Sequence, residues 1–325
     1  MINKKKIHKN TNGRRILLLS ILCLFGFCLV AQVRPQRNAA QPAKSKVYLL
    51  HSDVLKKSKD NSDAQILVGD VSFRHDSIYM YCDSACFYEK TNSLEAFHNV
   101  KFVQGDTLFL YGDYLFYDGN TQLAQVRNNV RMENRTTTLT TDSLNYDRIA
   151  NLGYFFDGGT LMDEQNVLTS DWGEYSPATK MSVFNYEVKL VNPQFTLTSD
   201  TLRYNTDTKI ASIVGPSDID SDENHIYSEL GFYYTQQGQA ELLERSVLTN
   251  NGKRMTGDSL FYDRNRGIGE AFQNVEFVDT ISKNMLTGDY CFYNQLTGYA
   301  FATDKAVATD FSQGDSLFIH ADTLQ

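Results

Sequence analysis

The sequence has 325 residues, 42% of them hydrophobic, with 19 Tyr, 20 Phe and only 5 Pro; this length accommodates one large domain or two ordinary ones. Its mean hydropathy of −0.38 excludes a polytopic membrane protein. The net charge of −8 argues against binding nucleic acid through its phosphates.

The first thirty-one residues stand apart. Lys4, Lys5, Lys6, Lys9, Arg14 and Arg15 form a basic start, residues 16–30 an apolar run, and Ala31-Gln32 a cleavage point. That is the layout of a secretory signal peptide, and the run falls short of the ~20 apolar residues a membrane span needs. Neither Cys23 nor Cys28 follows the small residue of a lipoprotein site. Residues 32–46 read as a linker. Six of the 31 basic residues and no acidic ones fall in the export segment, so 25 basic and 39 acidic residues remain, a net of −14. The mature chain keeps Cys82, Cys86 and Cys291, an odd number with no closed disulfide framework. Cys82 and Cys86, four apart on one strand, are expected on one face as small buried hydrophobes.

From there the chain repeats itself. A motif of a small residue, Asp, any residue, Leu, any residue and Tyr appears at Gly112–Tyr117, Thr141–Tyr146, Ser199–Tyr204 and Gly257–Tyr262. Looser copies place Asp83 before Phe87, Asp171 before Tyr175, Glu229 before Tyr233 and Asp289 before Tyr293, with weak copies at Asp53 and Asp322. The acids from Asp83 to Asp289 are spaced 30, 29, 29, 29, 29, 29 and 31 residues apart. Such a fixed step is the signature of a repeat architecture. About sixteen residues after the acid comes a second element, as in Asn99-Val100-Lys101-Phe102, Asn129-Val130-Arg131-Met132 and Asn274-Val275-Glu276-Phe277. Turn-formers such as Asp118-Gly119-Asn120 separate the halves. One unit therefore predicts two strands and two turns, and the mature chain an all-β fold.

Period two along a strand puts Leu115 and Tyr117, Leu144 and Tyr146, Leu202 and Tyr204, and Leu260 and Tyr262 on one inward face. Val130, Val275 and Phe277 form the inward face of the second strands. Asn145, Arg203 and Ser259 should face out. The acid falls on the Leu/Tyr side at the strand mouth. Because it recurs in every unit, it reads as a structural turn or edge device and not as a catalytic group.

No catalytic constellation emerges. There is no nucleophile elbow, phosphate-cradling glycine loop, His-Glu-x-x-His or Cys-x-x-Cys, and the six His are scattered. Asp218, Asp220 and Asp222, with Glu229, loosely resemble a calcium loop. Glu223 stands where that loop needs Gly, so an acidic loop between strands is expected, with no metal and no cofactor.

The small–Asp–x–Leu–x–Tyr–Asp strand, followed by Asn-Val-x-Phe and a return to the next Asp, resembles the OstA-like organic-solvent-tolerance family of periplasmic lipopolysaccharide-transport proteins. Residues 112–118, Asn129-Val130 and residues 257–263 carry the likeness best, and it extends over 47–325 as one β-repeat domain. The resemblance implies a repetitive open β-jellyroll: two facing sheets folded as a clip, with the inward residues named above lining a groove for acyl chains. It implies lipopolysaccharide or its lipid A moiety as ligand, a periplasmic location in reach of the outer membrane, and pairing of edge strands with other β-clip proteins or head to tail with itself. The chain is longer than the simplest bridge proteins, and Asp322-Thr323-Leu324 opens a unit left unfinished. Whether the natural chain continues, as a free bridge or as part of a larger outer-membrane protein, stays open. Asp-Ser/Thr-Leu tripeptides at Asp106, Asp142, Asp200, Asp258 and Asp315 resemble the O-glycosylation acceptors of exported Bacteroidetes proteins. Two other classes remain: a parallel β-helix enzyme acting on polysaccharide, and a structural cell-surface repeat protein.

Overall fold

Most units fold into two antiparallel strands of 11 or 12 residues joined by one shorter and one longer turn, as in Ser93–Gln104 followed by Leu108–Asp118; over 152–175 and 239–263 the strands are interrupted at their middles and run as pieces of 4 or 5 residues. The computed structural model describes residues 45–58, 63–221 and 224–325. The expected export segment and most of the linker lie outside the described residues, as do Asp222 and Glu223. Among the described residues there are 24 strands and no helix. Successive strands pair antiparallel in one long meander, and the same sense holds to the last pair. This excludes the parallel β-helix.

A flat meander of this length would leave one apolar face in water. The chain avoids that by bending every strand at its middle. In most of the alternate strands two consecutive residues take left-handed backbone, as at His98-Asn99 (φ 61° and 48°), Asn128-Asn129 (61° and 52°) and Gln273-Asn274 (59° and 50°), while at Gly158 and Gly215 a single residue does so. The pairing register slips there by one residue, between Phe97 and Val100, Arg127 and Val130, and Phe272 and Val275. Such a bulge kinks the strand and re-aims it. Repeated at each unit, the kinks form a corner that divides the meander into two facing sheets. Residues after the bulge continue in the second sheet.

The repeat acid sits opposite the bulge. Asn99 donates to Asp83 at 2.8 Å, Asn129 to Asp113 at 2.6 Å and Asn274 to Asp258 at 2.7 Å, while Lys305 reaches Asp289 at 2.7 Å. Asn tolerates left-handed backbone better than most residues, and here its side chain also pins the neighbouring strand. The acid is thus structural, as its recurrence suggested, but it stands in mid-strand and not at a strand mouth. Asp113 is exposed whereas Leu115 and Tyr117 are buried, because the bend at the acid breaks the alternation that would have placed all three on one face.

The same bend corrects the cysteines. Cys82 precedes Asp83 and is buried, while Cys86 follows it and faces the outer side, half-buried. Burial pushes the Cys82 thiol up to about 12. Asn145, expected outside, is buried because the Arg127 guanidinium folds over it, Nη2 donating to its Oδ1 at 2.8 Å. Ser259 is half-buried, and Arg203 is exposed as expected. Asp218 and Asp220 belong to the strand Ile210–Ser221 and not to a loop. His225 of the adjacent strand faces both, at 3.3 and 2.8 Å.

The burial alternation yields a direct test. Leu202→Ala removes a fully buried side chain and is expected to cost about 2–5 kcal/mol. Arg203→Ala, on the outer face, should change stability by no more than about 0.5 kcal/mol. Urea unfolding midpoints of the two variants check this, and equal losses would refute the assigned facing.

Candidate functional site

The interior between the sheets is the one region to which every unit contributes. Tyr117, Tyr146, Tyr175, Tyr204, Tyr233 and Tyr262 form a file of buried rings along the first sheet. Leu115, Leu144, Leu202 and Leu260 stand beside them, all at 2% exposure or less. Val130 and Val275 enter from the corner and Phe277 from the second sheet, at 2–4% exposure. The sheets touch through these groups: Phe102 meets the Tyr146 ring at 6.0 Å and Phe277 meets Tyr293 at 5.0 Å. The eleven residues singled out from the sequence thus share one apolar interior, which the chain's own side chains fill. Phe102, Phe184, Leu110 and Leu197 belong to it equally. Phe102 already stood in the second element of the repeat, while the alternation of Phe184, Leu110 and Leu197 was present in strand halves that neither element covered.

The two long sides of the interior are built differently. The corner is continuous backbone. Opposite it, two rims of turns face each other across a seam. The first sheet ends in turns 89–92, 119–122, 148–151, 176–180, 206–209, 235–238, 264–267 and 295–298. The second ends in shorter turns, among them 135–136, 164–165 and 193–194. Among the described residues no strand pairing joins one rim to the other, and the backbone bonds at the turns run along a rim, as from Thr206 to Lys180 and from Thr235 to Lys209.

Side chains close the seam instead. The Tyr117 hydroxyl and His75 Nδ1 are 2.6 Å apart. The Tyr146 hydroxyl approaches Gln104 at 3.4 Å and donates to Asn151 at 2.6 Å. Lys180 donates to Asn134 at 2.8 Å. Tyr204 donates to Asp163 at 2.8 Å, and Lys209 grips both oxygens of that carboxylate at 2.7 and 2.8 Å. Further along, Arg264 bonds Gln194 and lies 3.4 Å from the Tyr233 hydroxyl, and Tyr293 reaches Asn250 at 3.5 Å. Burial pushes the Tyr117 and Tyr146 phenols up to about 12, and burial together with the Asp163 charge raises Tyr204 further. All three phenols stay neutral. The partners that meet across the seam stand roughly forty or more residues apart in sequence, and no local pattern announces them.

The two ends differ as well. At the N-terminal end, residues 45–47 cross the seam. Ser45 bonds His75 and Asp76 of one rim, and the Val47 amide donates to Asn92 of the other at 2.8 Å. At the C-terminal end the strand Leu317–Leu324 pairs on one side only. Its Leu317, Phe318 and Ile319 are 61%, 59% and 51% exposed. Ile319 continues the file that contains Leu110 and Leu139, so the interior lies open in cross-section there. Three clefts among the described residues lie elsewhere. They flank the outer side of the corner and carry mainly polar linings, such as Lys189, Thr198, Asp200 and Asp218.

The sequence pattern of the family described as OstA-like protein matches residues 44–200 and 217–310. No curated protein matches the chain. Among solved structures, the chain is similar to LptH from Pseudomonas aeruginosa, described as the LptA-homologous periplasmic component of a lipopolysaccharide transport device. The identity is 18% over 36% of this chain and 96% of that one, with a TM-score of 0.34.

The seam's first rung is pH-sensitive. Burial lowers the pKa of His75, Arg148 adds to the lowering, and Asp76 opposes it. The unfolded chain therefore takes up the proton first, at its ordinary value of about 6.5. The rung's contribution is full above that value and is lost as pH falls through it toward the depressed folded value. Unfolding free energy should decline between about pH 7 and pH 5, with a shallower slope in His75→Gln. Equal slopes in the two proteins would show that this imidazole does not titrate on unfolding.

Proposed function

The chain belongs to the OstA-like protein family, and on that footing we propose that it is a non-enzymatic periplasmic carrier of lipopolysaccharide, holding acyl chains between its sheets and passing them toward the outer membrane. The observation that carries this reading is the construction of the interior. It is apolar along its whole length, closed on one side by backbone and on the other by side chains alone. Parting the rims would expose the file of Leu, Tyr, Val and Phe without breaking a strand pairing. Each acyl methylene buried there would contribute about 0.8 kcal/mol, so a few chains can offset the contacts that the interior gives up.

The partners follow from the ends. The single-sided strand Leu317–Leu324 offers unpaired backbone and an apolar cross-section, and such an edge accepts a strand from another sheet. A second β-clip, from a different protein or a second copy placed head to tail, would continue both the sheet and the interior. The export signal expected over residues 1–31 supports the location.

Organic extraction of the protein purified from its native cells, followed by mass spectrometry, tests the ligand. A phosphorylated glycolipid is expected in stoichiometric amount. Its absence, with soluble glycan or nothing recovered, would favour a saccharide-active or purely structural role. For the edge, Leu317→Pro removes a backbone donor and should weaken self-association or partner capture while the other units remain folded. Undiminished association in sedimentation and pull-down would refute pairing through this strand.

A further inference from the structure

Along the first rim, one position in each turn takes left-handed backbone. It is occupied by Asn92, Gln122, Asn151, Lys180, Lys209, Gly238, Gly267 and Gly298, with φ between 55° and 71°. Gly and Asn suit that conformation, whereas a long side chain there is strained. Lysine nevertheless stands at two successive units, and both lysines reach the same way, across the seam. Lys209 is 5% exposed and bonded to Asp163, with Glu164 at 3.3 Å. Among the described residues the Lys180 ammonium donates to the neutral carbonyl of Asn134, with Arg135 on the facing rim and Asp207 on its own rim nearby. Burial and the Arg135 charge hold its pKa below the ordinary lysine value.

For stability alone this arrangement is a poor choice. A buried ion pair rarely outperforms an apolar pair of similar volume, and other units close the same seam with neutral groups, as at Tyr146 and Gln104. What the lysines supply is positive charge at the line where the rims would part, in a chain whose mature part carries a net charge of −14. They sit one unit, or two strands, apart. At a strand spacing of about 4.8 Å their backbones are about 10 Å from each other, an interval that two phosphates on a disaccharide headgroup can span.

Resting on the acyl-carrier reading above, we infer that Lys180 and Lys209 are the headgroup-binding residues of the seam: with the clip closed they latch it through Asn134 and Asp163, and when acyl chains part the rims they take the ligand's phosphates. Opening moves Asp163, Glu164 and Arg135 away with their own sheet and leaves the two ammonium groups on the first rim beside Asp207. The carboxylate and amide of the second rim then face sugar hydroxyls, for which they are acceptors.

The experiment compares diphosphorylated lipid A with its enzymatically dephosphorylated form, carrying the same acyl chains, by displacement of a fluorescent fatty-acid probe. Two variants keep a folding defect from deciding the result. Lys180→Gln leaves no buried charge behind, and Asp163→Asn with Lys209→Gln neutralises the ion pair as a unit. The wild type should prefer the phosphorylated form by about tenfold or more, the range of one charge-assisted hydrogen bond. Each variant should lose most of that preference while binding the dephosphorylated form undiminished. The ion-pair variant should also take up the probe faster. Retained preference in both variants, or equal weakening toward both lipids, overturns the inference and leaves the acyl-carrier reading standing. A wild type that binds neither lipid overturns both.

Discussion

The fold depends on a bend. Two residues of left-handed backbone, set against an acid on the neighbouring strand, turn each strand out of one sheet and into another. Without the bend, the Leu, Tyr, Val and Phe of every unit would form one side of a long ribbon facing water. With it, the ribbon closes on itself and the same residues become an interior. The Asn-to-Asp bonds at Asn99, Asn129 and Asn274 fix the kink in those three units, and the kinks of successive units stack into a corner that keeps the sheets in register.

The corner and the seam divide the work. Backbone hydrogen bonds run along the length of the meander and across the corner, where they are cooperative and hard to break. The seam is held by Tyr, His, Lys, Asn and Asp side chains, each contact acting alone, with a typical net worth of about 0.5–1.5 kcal/mol. The fold therefore has one side held by backbone pairing and one side that the proposed carriage would part without loss of secondary structure. The Asp163–Lys209–Tyr204 group, in which one carboxylate takes bonds from two side chains, lies in the middle of the chain.

The repeat, the two strands per unit and the inward residues were legible in the sequence, because alternation and a 29-residue step leave their mark on residue type. The corner was only half legible. The recurrent Asn99, Asn129 and Asn274 were visible, but at Tyr186-Glu187 and Glu244-Arg245 the same left-handed pair carries quite different side chains. There the conformation is imposed by the neighbouring strands and not by local preference. Missing the corner had consequences for particular residues: it put Cys82 and Cys86 on one side, placed the acid at a strand mouth and left the far halves of the strands unread. The seam was not legible at all. His75 and Tyr117, or Asp163 and Lys209, meet only because the sheets fold over, and nothing within either turn specifies the other.

The closures of the seam come about one to a unit, which sets a length scale for any motion. Strands within a sheet are bonded to their neighbours, but nothing obliges distant rungs to open together. A gap can therefore form over one or two units and close behind itself, advancing in increments of about 10 Å, the width of a strand pair. The barrier to each advance is then the loss of one rung, nearly balanced by the re-formation of the rung before it. In the proposed carrier, a molecule zipped in this way would offer its cargo a low and almost level track, however long the chain of units becomes.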